Sequence, residues 1–401
     1  MSFADLSAVV LEPGLCTACG ACSLACPADV IGFEGLEPVA APNWTAADCG
    51  SCTDCLDACP GADPGTPEAE VRLFGRTRTD AERWLGVYTE VLGGRSARPE
   101  VFAASASGGS ITALLQATAA ELGVTVFLTM GRDAASPWRA APSLTEDSAH
   151  LVETAQSTYQ LAPYLNELRT VYRDAPSARV AMTGTACHIQ AMRKLQAMDT
   201  PIGRWARDHV VFLIEPACSS STRPEGTVSI VETLARLPLE SVTRLRYREG
   251  EYPGAVRIRT ADGAEHEVEF WRAVRDLARN KTHRCLSCGD WVSGLADVSV
   301  SDGDPNIFAA SLGEGRAAKH GRVFVRTQTG ARVVAAAAEQ GLFEHWPIDL
   351  SGLNLGLERK RHRRTDYERS GKPIPLGPIP GYHEQIEVIS DERLISPGGA
   401  E

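Results

Sequence analysis

Twelve cysteines stand in this chain, and their grouping is the first sign of chemistry. Cys16, Cys19, Cys22 and Cys26 are followed by Pro27, and Cys49, Cys52, Cys55 and Cys59 by Pro60. Both sets repeat C-x2-C-x2-C-x3-C-P, the spacing with which a short chain wraps a pair of 4Fe-4S cubanes. Three closely spaced thiolates reach three irons of one cubane, and the fourth, on the next turn, reaches the other. The spacing therefore groups Cys59 with Cys16, Cys19 and Cys22, and Cys26 with Cys49, Cys52 and Cys55. Zinc takes four ligands around one ion and does not call for two interlocked sets. Gly20 and Gly50 allow tight loops whose backbone N–H groups can turn toward sulfur.

Four further cysteines, Cys187, Cys218, Cys285 and Cys288, are the number another cluster needs. Cys285-x-x-Cys288 has metal-type spacing, but spacing alone leaves a third cluster, zinc and unligated thiols all open. Two small-residue turns, Ser107-Gly108-Gly109-Ser110 and Thr183-Gly184-Thr185, precede apparent helices. Exposed N–H groups at a helix start make either a plain cap or an anion site fit for a nucleotide phosphate. GxGxxG is absent, so the usual dinucleotide fingerprint is missing.

The elements that must position these residues read as follows. A Gly- and Pro-rich stretch at 61–67 closes the cysteine-rich region. Helices are expected at 111–122, 148–156, 162–172, 188–198 and 331–340. Strands are expected at 124–130, 179–182, 210–214, 298–300 and 323–326, with a hairpin of 256–260 and 265–270. The expected fold is α+β: a ferredoxin-like two-cluster domain at 1–65, then a larger α/β domain with a mixed sheet. Residues 66–100 read as linker and entry to a core at 101–345, and 346–401 as a basic segment and tail.

The 401 residues are 43 % hydrophobic and 23 % charged, ordinary values for a globular chain able to bury a core. No run of about 18 apolar residues appears, so no membrane span is expected. The first ten residues lack a basic and apolar leader, and the expected compartment is the reducing cytoplasm, where grouped cysteines bind metal. A net charge of −11 disfavours nucleic acid. Against that acidity, the run 359–364 is basic and reads as a solvated helix end, a partner contact or a dock for a polyanionic cofactor.

SGGSITALL (107–115), STYQ (157–160), VAMTGTACHIQAMRKLQ (180–196), YPGAVRI (252–258), HRCLSCGDWVSGLADVSVSDGD (283–304) and VFVRTQTG (323–330) follow one another in order. In this order they resemble the family of coenzyme F420 hydrogenase/dehydrogenase beta subunits, over about residues 12–340. The resemblance implies FAD in the central domain and a 4Fe-4S cluster beside it. It places Ser107, Gly108, Gly109, Ser110 and Thr112 at a flavin-binding helix start and Thr183, Gly184 and Thr185 at a second flavin loop. Ser157 and Tyr159 fall in a third. Lys281 and Arg284 are candidates for the flavin diphosphate, and Cys187, Cys218, Cys285 and Cys288 fall at ligand positions of the core cluster.

Two departures stand out: Ile214-Glu215-Pro216-Ala217-Cys218 replaces the family's usual GLFC, and Ser301 stands where glycine is common. The segment 305–320 has no counterpart. The implied activity is an exchange of electrons with coenzyme F420, a small-molecule hydride carrier, on one side and a ferredoxin or other iron–sulfur partner protein on the other. The alternatives are a ferredoxin-dependent flavin reductase of an organic substrate and an electron relay without turnover. No catalytic acid, base or nucleophile is expected, because the flavin supplies the chemistry.

Overall fold

The computed structural model describes residues 3–303 and 319–348, together with Leu350, Leu357 and Lys360. The basic run 359–364, apart from Lys360, lies outside the described residues, as do the tail 373–401 and most of the segment 305–320.

The N-terminal region is built of short pieces because its cysteines leave little room for regular structure. Helix Ala21–Ala25 starts at Gly20, whose φ of 84° only glycine adopts freely. A Cβ on Gly20 would also stand 2.7 Å from the Asn166 backbone nitrogen. The strands β1 (Ile31–Glu34) and β2 (Glu37–Ala40) form an antiparallel hairpin. Helix Ala46–Cys49 is closed by a box in which Thr45 and Asp48 cap each other's backbone. The local core is small: Leu6, Val10, Leu15 and Ile31 pack around Cys22, Cys26, Cys55 and Cys59.

The rest of the chain is organised by an eight-stranded mixed sheet. Its strands are β3 (Glu90–Ser96), β4 (Val126–Arg132), β5 (Ala140–Thr145), β6 (Val180–Thr183) and β7 (Val210–Pro216), then β11 (Val298–Asp302), β12 (Gly321–Val325) and β13 (Phe343–Pro347). They lie in the order β13-β3-β12-β11-β7-β6-β4-β5. The four central strands β11, β7, β6 and β4 run parallel. Their residues Val180, Ala181, Met182, Phe212, Leu213 and Ile214 are fully buried, as befits strands covered on both faces. Helices Ser110–Leu122 and Gln328–Glu339 lie against one face, where Leu114, Leu115, Val333 and Ala337 meet Phe212 and Val323. Helices Ala186–Ala197 and Pro201–His209 supply Ile189, Met192, Leu195 and Trp205 to a second core that also contains Cys19, Ala21, Leu24 and Ala25. The N-terminal region is therefore welded onto the sheet through a common interior.

A second, antiparallel sheet has the order β10-β9-β8, from β8 (Val242–Glu249), β9 (Ala255–Thr260) and β10 (Glu265–Glu269). The expected hairpin is its β9–β10 pair.

Three readings of the sequence need correction. Residues 66–100 are more than a linker: they hold helix Thr66–Phe74 and strand β3, which lies between β12 and β13. The Gly93-Gly94 pair disguised that strand. Glycine is needed there because the Trp346 and Phe343 rings of β13 occupy the space any Cβ would take. The helix expected at 148–156 is only the short 3-10 segment Ser148–Val152, and the chain beyond it turns into a loop. The helix expected at 162–172 begins only at Leu165, since Pro163 disfavours helical geometry at the residue before it.

Candidate functional site

The thiols fall into three neighbourhoods. Burial pushes the Cys16 thiol up to about 11, and the next thiol to act on it is Cys59. Cys19 and Cys22 are likewise raised by burial, with Cys59 again among the neighbours that add to the effect. The Cys55 thiol is pushed up to about 12 by burial, then by Cys49, Cys52 and Cys26. Cys218 rises to about 12 by burial, opposed by Lys360 and reinforced by Cys285, Cys187 and Cys288. The charges acting on these thiols set Cys59 beside the first motif and Cys26 beside the second; Cys187 acts on Cys218 and also on Cys16 and Cys19, so the core thiols adjoin the first motif. Left bare, such buried thiols stay protonated; metal binding requires thiolate, so cations must offset the burial.

Beside the core thiols a cavity of about 340 Å3 opens at the carboxyl ends of the parallel strands. That is where open α/β sheets place ligands, because loops and helix starts converge there. Its wall includes Thr129 and Met130 of β4, Thr183 of β6, Pro216 of β7 and Asp302 of β11. Of the residues singled out in the sequence, Ser107, Gly109, Ser110, Thr112, Ser157, Tyr159, Thr183, Gly184, Thr185 and Lys281 line it, and Cys218 joins them.

Two residues do not. Gly108 turns away at a φ of 92°, where a Cβ would stand 2.8 Å from the Lys319 carbonyl oxygen. Arg284 is directed into the N-terminal region, its Nη1 3.5 Å from the Leu15 carbonyl oxygen. It is therefore not placed to meet a diphosphate in the cavity.

The polar wall is specific. Arg248, on β8, is buried and puts Nη1 at 3.2 Å from both carboxylate oxygens of Asp302, which also accepts from Ser107 Oγ. The rings of Tyr252 and Phe270 lie against the guanidinium, each centroid at 5.3 Å. Burial alone would lower the Arg248 pKa, but the Asp302 charge and the nearby Tyr159 and Tyr252 hold it above its usual value. Its Nη2 has no hydrogen-bond partner among the described residues.

His188 caps its own helix, its Nδ1 accepting the Thr185 N–H at 3.2 Å. Burial pushes its pKa down to about 4. The ring is therefore neutral, with its proton on Nε2, and Nε2 too lacks a partner among the described residues. Gly184 is required behind it, because a Cβ there would stand 2.7 Å from His188 Cβ.

Glu215, at one of the departures from the family pattern, is fully buried and holds the next shell together. It accepts from Ser293 N–H at 2.8 Å, Ser293 Oγ at 2.7 Å, Gly294 N–H at 3.2 Å and Ser299 Oγ at 2.6 Å. Arg326 Nε donates to Ser299 Oγ at 2.6 Å. This network fixes the loop after Cys288, whose Trp291 carbonyl accepts the Cys218 N–H at 2.7 Å.

Neither Arg248 nor Glu215 was visible as a site residue in the sequence. Arg248 sits in an alternating strand, and only its nearness to the Tyr252-Pro253 segment could have drawn attention to it.

Known proteins share this architecture. Residues 91–169 match the description "Coenzyme F420 hydrogenase/dehydrogenase, beta subunit N-term", and residues 177–350 its C-terminal counterpart. Residues 8–60 match a 4Fe-4S dicluster domain. Over 279 residues the chain is 28 % identical to the coenzyme F420 hydrogenase subunit beta of Methanosarcina barkeri, covering 69 % of this chain and 88 % of that one. It is 22 % identical to an F420H2 dehydrogenase subunit of Methanosarcina mazei over 368 residues, 88 % of this chain and 92 % of that one. A chain of the solved F420-reducing [NiFe] hydrogenase complex from Methanosarcina barkeri shares the fold with a TM-score of 0.56 at 24 % identity, over 71 % of this chain and 92 % of that one. Among the described residues no helix is long and apolar enough to cross a membrane. The chain belongs to the family of coenzyme F420 hydrogenase/dehydrogenase beta subunits, as an iron–sulfur oxidoreductase subunit with a 4Fe-4S dicluster domain at its N-terminal end.

Proposed function

We propose that this protein exchanges electrons between reduced coenzyme F420 and an iron–sulfur partner, using FAD in the cavity, a third 4Fe-4S cluster at Cys187, Cys218, Cys285 and Cys288, and the two N-terminal clusters. The observation that carries the reading is Cys218, which belongs to the core thiol group and also lines the cavity wall. A redox cofactor bound there would touch the residue that holds the next carrier.

The donor set suits a flavin nucleotide. The Ser110 end of helix Ser110–Leu122 offers backbone N–H groups to an anion, and Arg248 Nη2 supplies a buried cationic donor without a partner. His188 Nε2–H is a neutral donor without a partner, suited to a ring carbonyl or nitrogen. The turn before this helix requires glycine at 109: a side chain at its φ of 80° would be strained and would meet Val101 Cγ1 at 2.8 Å. A flavin in this place supplies the two-electron to one-electron conversion that clusters cannot perform. The chain's own part is to bind and orient it, to exclude water with Leu115, Phe270, Trp271 and Trp291, and to hold sulfur beside it.

The test is anaerobic visible spectroscopy of the reconstituted full chain, mixed separately with reduced coenzyme F420, NADH, NADPH and reduced ferredoxin. Bleaching of flavin and cluster bands by reduced coenzyme F420 alone is the expected result. Bleaching by ferredoxin alone would replace this reading with reduction of an organic substrate, and absence of a flavin band would end it.

A further inference from the structure

The two regions meet at a buried cation. Arg284 is 2 % exposed and sits in helix His283–Ser287, one residue before Cys285. Its Nη1 approaches the carbonyl of Leu15, the neighbour of Cys16, at 3.5 Å. The same nitrogen is 3.2 Å from where a Cβ on Gly61 would stand, and the Gly61 N–H reaches Cys59 Sγ at 3.3 Å. The guanidinium is thus inserted between Cys16 and Cys59 on one side and Cys285 and Cys288 on the other. Backbone contacts tighten the same junction: the Cys19 carbonyl accepts the Leu165 N–H at 2.8 Å. In the other set, Cys49 and Cys52 are only half-buried.

We propose that electrons cross between the two regions through the cluster of Cys16, Cys19, Cys22 and Cys59, that Arg284 is the positioning charge shared by this cluster and the core cluster, and that the cluster of Cys26, Cys49, Cys52 and Cys55 is the terminal one. This rests on the third cluster proposed above. In the crossing step one electron leaves one cluster, which is oxidised by one unit, and enters the other, which is reduced by one; no proton or further reactant is needed. A fixed positive charge favours the more negative, reduced state of whatever cluster it faces, so it raises both potentials together and leaves the difference between them nearly unchanged.

The experiment is EPR-monitored redox titration of the anaerobically reconstituted full chain, with iron and acid-labile sulfide counted in each variant. Arg284→Gln should disfavour reduction of two clusters by tenfold or more each, about 59 mV per decade for a one-electron couple, and leave the third unchanged. Arg284→Lys should hold all three near their original values. Cys52→Ser should abolish the signal that did not move. Arg284→Met, which keeps length without charge, gives the same reading if the glutamine variant loses iron. The proposal is overturned if no potential moves at full iron content, if all three move alike, or if Cys52→Ser removes a signal that had moved. A wild-type chain holding only two clusters would overturn the third-cluster reading alone. Arg284 would then be judged on whether one of the two potentials moves.

Discussion

The N-terminal region and the sheet region build their sites in opposite ways. In the first, the ligands are local. Eight cysteines lie within 44 residues, from Cys16 to Cys59, and a core of a few aliphatic side chains wraps them. In the second, the site is assembled from β4, β6, β7, β8, β11 and the helix starts between them, residues separated by up to two hundred positions. The first kind of site is written into spacing and tolerates a thin core, provided its metal is bound. The second kind depends on the sheet being right, and its residues make sense only once the strand order is known.

That contrast can be broken or sharpened by substitution. The largest effect should come from Cys59→Ser. The loss should fall on the cluster of Cys16, Cys19 and Cys22, not on the cluster of its own motif; iron analysis and EPR of the reconstituted chain would read it. Retention of that cluster with loss of the other would show that the ligands do not cross. Next is Glu215→Ala, which leaves the fully buried Arg326 without its carboxylate and strips three hydrogen bonds from the loop holding Trp291 and one from Ser299 of β11. Breaking a buried charged network by removing one partner costs about 3–5 kcal/mol, to be measured by denaturant unfolding. A cost below about 1 kcal/mol would mean the sheet region does not rely on this network.

Arg248→Ala should be milder for folding but should weaken retention of a flavin nucleotide by roughly tenfold or more, the value of one charge-assisted hydrogen bond. Fluorescence titration of the apoprotein with FAD would read it, and unchanged affinity would remove Arg248 from the cofactor site. The smallest effect belongs to the chain between the regions. Glu82 is held down at about 2 by the Arg76 guanidinium, against some burial, and by the Thr79 N–H. Its folded pKa is lower than its unfolded one, so its contribution is complete above the ordinary carboxylate range and is lost as pH falls toward about 2. Partner exposure limits that contribution to under about 1 kcal/mol. Glu82→Gln should flatten this part of the acid-unfolding curve, and an unaltered curve would show the pair to be inert.

What could be read from the sequence follows the same division. The cysteine spacing announced the N-terminal ligands because cluster chemistry demands fixed short gaps. The parallel strands 179–182 and 210–214 were legible because they are covered on both faces and hence uniformly apolar. β3 was not, since its two glycines answer to Trp346 and Phe343, rings that arrive from about 250 residues away. β8 was hidden by its arginines: Arg246 and Arg248 are buried there, against every expectation from charge. Arg284 was recognised as important but assigned to a diphosphate, because sequence shows which cysteines it adjoins and not which region its long side chain enters.

The common interior formed by Cys19, Ala21, Leu24 and Ala25 with Ile189, Met192 and Trp205 has one more consequence. Many redox proteins tether a small carrier domain on a hinge and wait for it to swing between docking sites. Here no such stroke is available, since swinging would tear open a packed core. Electrons passing between the regions travel a fixed distance through a rigid medium. Internal transfer should therefore be indifferent to added sucrose or glycerol, and only the arrival of an outside partner should slow as the solvent thickens.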